Sequence, residues 1–110
     1  MARKNHVQQV VQSYRVILGS RGRPMSFARF AAELNQVVVP FGLSISNQSI
    51  KNWEDGVYQP NYPLIVRLSI SAPPASWQRS FALDLLAAQW PELYKPASEV
   101  GRRVLKHVQE

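Results

Sequence analysis

Ser46-Asn47-Gln48-Ser49-Ile50-Lys51-Asn52-Trp53-Glu54-Asp55-Gly56 is the most informative stretch of this chain. Ser46 can start a helix, because its hydroxyl oxygen can accept a backbone N–H that the first turn leaves unpaired. Gly56 can end it, because glycine takes the left-handed conformation of a helix stop without steric cost. At 3.6 residues per turn, Ile50 and Trp53 share one side, and the spacing sends both into a core. Asn47, Gln48, Lys51 and Asn52 fall on the other side. Glu54 and Asp55 come only at the C-terminal end.

The flanking sequence reads as helices. Upstream, Val7, Val10, Val11, Tyr14, Ile17 and Leu18 recur at spacings of three and four and predict a helix over 6–18 with one apolar stripe. The segment 19–24 holds two glycines and a proline and leaves Arg21 and Arg23 on a loop. Ser26 predicts a cap for a helix over 27–35, with Phe27, Phe30, Ala31 and Leu34 buried. Residues 36–46 are open to three readings: a loop, a short hairpin or a fraying helix end. Downstream, 57–63 reads as an ordered loop, 63–71 as a short helix, and 77–89 as a long helix capped by Ser76. Trp77, Phe81, Leu85 and Ala88 line one face of that long helix, and Leu83, Leu86 and Trp90 lie elsewhere. One side can cover the core, which leaves the other as a homodimer interface through the 76–90 helix. Asp84, embedded among apolar residues, is expected to face solvent or an arginine such as Arg79 or Arg67. Val100, Val104, Leu105 and Val108 mark 97–110 as a basic tail or a short amphipathic helix after a domain over 1–96.

The 110 residues suffice for one modest core, and 45% hydrophobic with 18% charged residues is a globular balance. A formal net charge of +6 favours a polyanionic partner, nucleic acid before an anionic membrane. Without cysteine there is no disulfide and no thiolate metal site. His6 and His107 lie near opposite ends, so a metal site built on them needs the termini to meet. No cofactor is expected. No apolar run approaches a membrane span, and the first residues lack the apolar core of a signal peptide. The expectation is a cytoplasmic, nucleoid-associated protein. No nucleophile–histidine–acid set, phosphate-binding glycine loop or paired carboxylates with an adjacent base is present, so the reading is non-enzymatic.

The outer face of the quoted helix suits a DNA major groove. Asn and Gln can donate to and accept from an adenine edge, and Lys can reach guanine or phosphate. The segment resembles the recognition helix of the lambdoid phage repressor and Cro family, and of Cro-like bacterial regulators more widely. Gln48-Ser49-Ile50, Trp53 and Glu54-Asp55-Gly56 carry the likeness. Residues 26–35 are similar to the first helix of that motif, with Ala31 as the small residue at the helix crossing. Pro60 and Ile65-Val66-Arg67-Leu68 resemble the proline and fourth helix that the family places after the glycine.

The resemblance covers about residues 11–72. It implies an all-α fold, a five- or six-helix bundle with a lambda-repressor-like helix-turn-helix, whose turn over 34–46 is unusually long. Phe27 stands where the family often has a backbone-contacting glutamine, so that contact does not carry over. The implied function is sequence-specific binding of double-stranded DNA, in a transcriptional regulator of bacterial or phage and mobile-element origin. Asn47, Gln48, Lys51 and Asn52 would contact bases. Arg21, Arg23, Ser26, Ser46, Tyr58, Gln59 and Asn61 would contact phosphates. Lys4, Arg102, Arg103 and Lys106 read as electrostatic arms or solubilising tails. The rival reading is a helical protein-interaction module, antitoxin-like or adaptor, that uses the same fold without reading bases. A third, RNA binding, would require Tyr58 and Tyr62 as stacking platforms.

Overall fold

A computed structural model of the chain describes residues 6–106. It is an all-α bundle: α1 (His6–Leu18), α2 (Phe27–Val38), α3 (Asn47–Asp55), α4 (Tyr62–Ser71), α5 (Trp77–Gln89) and α6 (Glu99–Val104), with a 3-10 turn at Val39–Phe41 after α2. Five of the helix starts share one device. Ser26, Ser46, Asn61, Ser76 and Ser98 each accept, through a side-chain oxygen, the backbone N–H three residues on. Asn61 starts α4 one residue earlier than the proline suggests, and Pro63 fits its first turn, where no N–H partner is lost.

The core is built from all the long helices. Phe30, Leu34, Ile50, Ile65, Leu68, Phe81 and Leu85 are fully buried. Phe81 stands edge-on to Phe30 and Tyr14, with centroids 5.0 and 5.1 Å apart, and Trp77 packs 5.0 Å from Phe30. Edge-to-face geometry suits the ring quadrupoles and locks α1, α2 and α5 together.

Several expectations need correction. Ile17 is 57% exposed, whereas Arg15 is buried. Ile17 lies roughly a quarter turn from the centre of the α1 stripe, at its edge. Of the three readings of 36–46 the hairpin fails, since Val37 and Val38 continue α2 and Val39 begins a 3-10 turn. Val38 lies one helical turn beyond Leu34 on the same buried stripe, so α2 runs on through it. The second apolar side of α5 is not left open either. Leu86 is 1% exposed and Leu83 is partly buried against the core, so most of this side is covered within the chain itself.

Asp84 is the largest surprise. It is fully buried, and neither arginine proposed for it comes near. Arg79 donates to the carbonyls of Ile70, in the last turn of α4, and Ala72, just after it, and Arg67 stacks over Phe41. Asp84 instead accepts from Tyr14 Oη at 2.6 Å, Ser98 Oγ at 2.5 Å, and the backbone N–H groups of Ala97 at 2.7 Å and Ser98 at 3.3 Å. Burial and this bond push the Tyr14 phenol well above its ordinary pKa. The carboxylate thereby ties α1 and α5 to the start of α6. Gly101 permits that closeness, because a Cβ there would overlap the Asp84 carboxylate. With Gly101 and Leu105 buried, α6 is a short helix packed against α1 and α5. Lys4, His107 and Val108 lie outside the described residues.

Candidate nucleic-acid interface

α3 sits where two other helices meet it. Ile50 and Trp53, 0% and 2% exposed, anchor it in the core between α1 and α2. Ser46 caps its start, and Gly56, at φ 78°, stops its end. The long connection from α2 is held by one side chain. Asn35 donates from Nδ2 to the Ile45 carbonyl and accepts the Ile45 N–H at Oδ1, both at 2.8 Å. This two-bond clamp, with Ile45 buried beside it, delivers the chain to Ser46 in one place. A polar residue near the end of a predicted helix was the only sequence signal for it.

The other end of α3 is held by Arg15. Its Nη1 lies 2.7 Å from Glu54 Oε1, its Nε donates to the Met25 carbonyl at 2.8 Å, and its guanidinium stacks 3.8 Å over the Phe27 ring. One side chain thus joins α1, the α1–α2 connection and the last turn of α3. Sequence reading missed it. The signal was a charge at position 15, within the apolar stripe of α1.

The outer side of α3 carries the four residues expected to contact bases. Asn47, Gln48 and Lys51 are exposed and Asn52 is half-buried. Among themselves they are loosely paired: Gln48 Nε2 donates to Asn52 Oδ1 at 3.1 Å, and Lys51 Nζ meets Asp55 Oδ2 at 2.7 Å. Such surface pairs one turn apart are weak and exchange readily with solvent or a ligand. Tyr58 reaches back onto this helix. Its hydroxyl donates to Ser49 Oγ at 3.5 Å, and its hydrogen bonding with Asn52 and Ser49 lowers its pKa. Tyr58 therefore borders the α3 face instead of standing apart in the loop. With Lys51 set against Asp55 and Glu54 against Arg15, this face has almost no net charge.

The expected phosphate contacts divide into two groups. Ser26, Ser46 and Asn61 spend a side-chain oxygen on their caps, although the hydroxyl protons and the Asn61 amide can still donate. Gln59 is exposed in the α3–α4 loop. Arg21 and Arg23 lie on a small hairpin between α1 and α2. Ser20 and Arg23 exchange backbone hydrogen bonds at 3.0 and 2.9 Å, and Arg21 and Gly22 form the turn with φ of 53° and 74°. This is the pattern of a two-residue primed turn. The chain matches no protein-family model, no curated relative and no solved structure. Among the described residues, no helix is long and apolar enough to cross a membrane.

Proposed function

We propose that this chain is a sequence-specific double-stranded DNA-binding protein, a transcriptional regulator of bacterial or phage and mobile-element type. In this reading α2 and α3 act as a helix-turn-helix. The observation that supports it best is the exposed amide-rich face of α3 on a rigid support. Asn47, Gln48, Lys51 and Asn52 project from a helix capped at both ends, sunk in the core at Ile50 and Trp53, and braced by Asn35 and Arg15. Base reading needs such rigidity, because a bidentate contact tolerates little error in position. Weak pairing within the face keeps its donors and acceptors available. The protein would act at the nucleoid, in the cytoplasm, without cofactor.

The test is selection of bound duplexes from a random library, then comparison of the selected duplex with a scrambled one. Gln48→Ala should weaken binding to the selected duplex about tenfold or more, as expected for losing about 1–3 kcal/mol of discrimination, while scrambled-duplex affinity stays nearly constant. If Gln48→Ala, Asn47→Ala and Asn52→Ala all leave the ratio unchanged, α3 does not read bases, and the protein-interaction reading takes its place.

A further inference from the structure

The near neutrality of the α3 face raises the question of where affinity for a polyanion would come from. Three guanidinium groups lie elsewhere, around one open hollow of about 750 Å³ between the α1–α2 hairpin and the start of α2. Arg21, Arg23 and Arg29 line it with the hydroxyls of Ser20 and Ser26, and no carboxylate lines it. Among the described residues neither Arg21 nor Arg23 is in an ion pair, and Arg29, 71% exposed, holds Glu33 only loosely at 3.7 Å. Arg29 entered no sequence expectation.

The hollow is built, not incidental. Gly19 lets the returning leg of the hairpin approach α1, since a Cβ there would overlap the Arg23 carbonyl. Met25 N donates to the Arg15 carbonyl at 2.8 Å and closes the base of the hairpin. Arg21 is the only non-glycine residue at positive φ among those described. A glycine would fit that turn position with less strain, so the turn itself does not account for an arginine there. Arg15 bonds both the Met25 carbonyl and Glu54, so one side chain links the lining of the hollow to the last turn of α3.

We infer that this hollow seats the sugar-phosphate backbone of duplex DNA and supplies most of the electrostatic affinity, with Arg29 a third phosphate contact beside Arg21 and Arg23. The inference rests on the DNA-binding reading. The volume far exceeds one phosphate group and suits a length of backbone rather than a lone ion. Guanidinium forks match phosphate oxygens in pairs.

The experiment uses the full chain and a fluorescent duplex of random sequence, titrated over a series of salt concentrations. Arg21→Gly, Arg23→Gln and Arg29→Gln should each lower the salt slope by roughly one and weaken selected and scrambled duplexes alike. Arg67→Gln, which alters an arginine stacked on Phe41 away from the hollow, should not. Arg21→Gly carries a second readout: it should melt at the same temperature as the parent or higher while binding more weakly, which a purely structural arginine would not do. A parallel titration with inorganic phosphate at constant ionic strength should leave the amide resonances of residues 20–29 in place, whereas the duplex shifts them. Unchanged salt slopes in all three variants would overturn the seat. So would saturable binding of phosphate alone, which would make the hollow a small-anion site. A preserved α3 discrimination ratio with unchanged slopes would sink the seat and leave the base-reading proposal intact. Lowered slopes with no α3 discrimination would do the reverse.

Discussion

Two polar clusters in this molecule use similar chemistry to opposite ends. Around Asp84, one carboxylate takes four hydrogen bonds at no exposure. On the outer face of α3, amides and a lysine pair one turn apart in water. The buried cluster cannot give up a partner without leaving a donor unsatisfied in a low-dielectric interior, so it is committed to the fold. The outer cluster exchanges each bond for a water bond at almost no cost, so it is free to bind something else. Polarity alone does not mark a functional site. What matters is whether the bonds already made are replaceable.

Substitutions that break this contrast should rank in the same order. The largest effect is expected at Asp84→Ala, which leaves the Tyr14 and Ser98 hydroxyls only each other, 2.9 Å apart, and strands two backbone N–H groups. A loss of about 3–5 kcal/mol is expected, because several buried or part-buried donors lose their acceptor at once, read as a large fall in melting temperature. Gly101→Ala forces a methyl group against the same carboxylate and should cost about 1–3 kcal/mol, the range for overpacking. If it melts like the parent, α6 is not docked on Asp84.

Glu54→Ala sharpens the comparison from between the two clusters. Its bond to Arg15 is largely shielded, with side chains 11% and 18% exposed, and losing it should cost about 1.5–3 kcal/mol. It should also loosen the last turn of α3, and amide exchange there no faster than in the parent would contradict the bracing role of Arg15. The smallest effect belongs to Gln48→Ala, within about 0.5 kcal/mol, as for an exposed side chain outside any network. A stability loss there as large as at Glu54 would mean that the α3 face is structural and not available for a ligand.

Much of this protein is local physics and therefore legible from its sequence. Ser26, Ser46 and Ser76 start helices because a hydroxyl reaches an N–H only three residues away. Gly56 ends one because of its own backbone freedom. Ile50 and Trp53 turn inward because 3.6 residues per turn puts them together. These interactions span a few residues, so the all-helical class, most helix bounds and the two faces of α3 follow from the order of residues alone.

Tertiary structure decided whatever depends on residues far apart in the chain. Asp84 is satisfied by Tyr14, 70 residues away, and Glu54 by Arg15, 39 away. Arg29 joins Arg21 and Arg23 only because a hairpin folds back beside α2. The fate of a charged side chain is set by the neighbours that packing brings to it, and burial reverses its meaning. A lone carboxylate in an apolar helix reads as solvent-facing when only its own helix is considered. It becomes the centre of a core network once the start of α6 closes over it with free N–H groups.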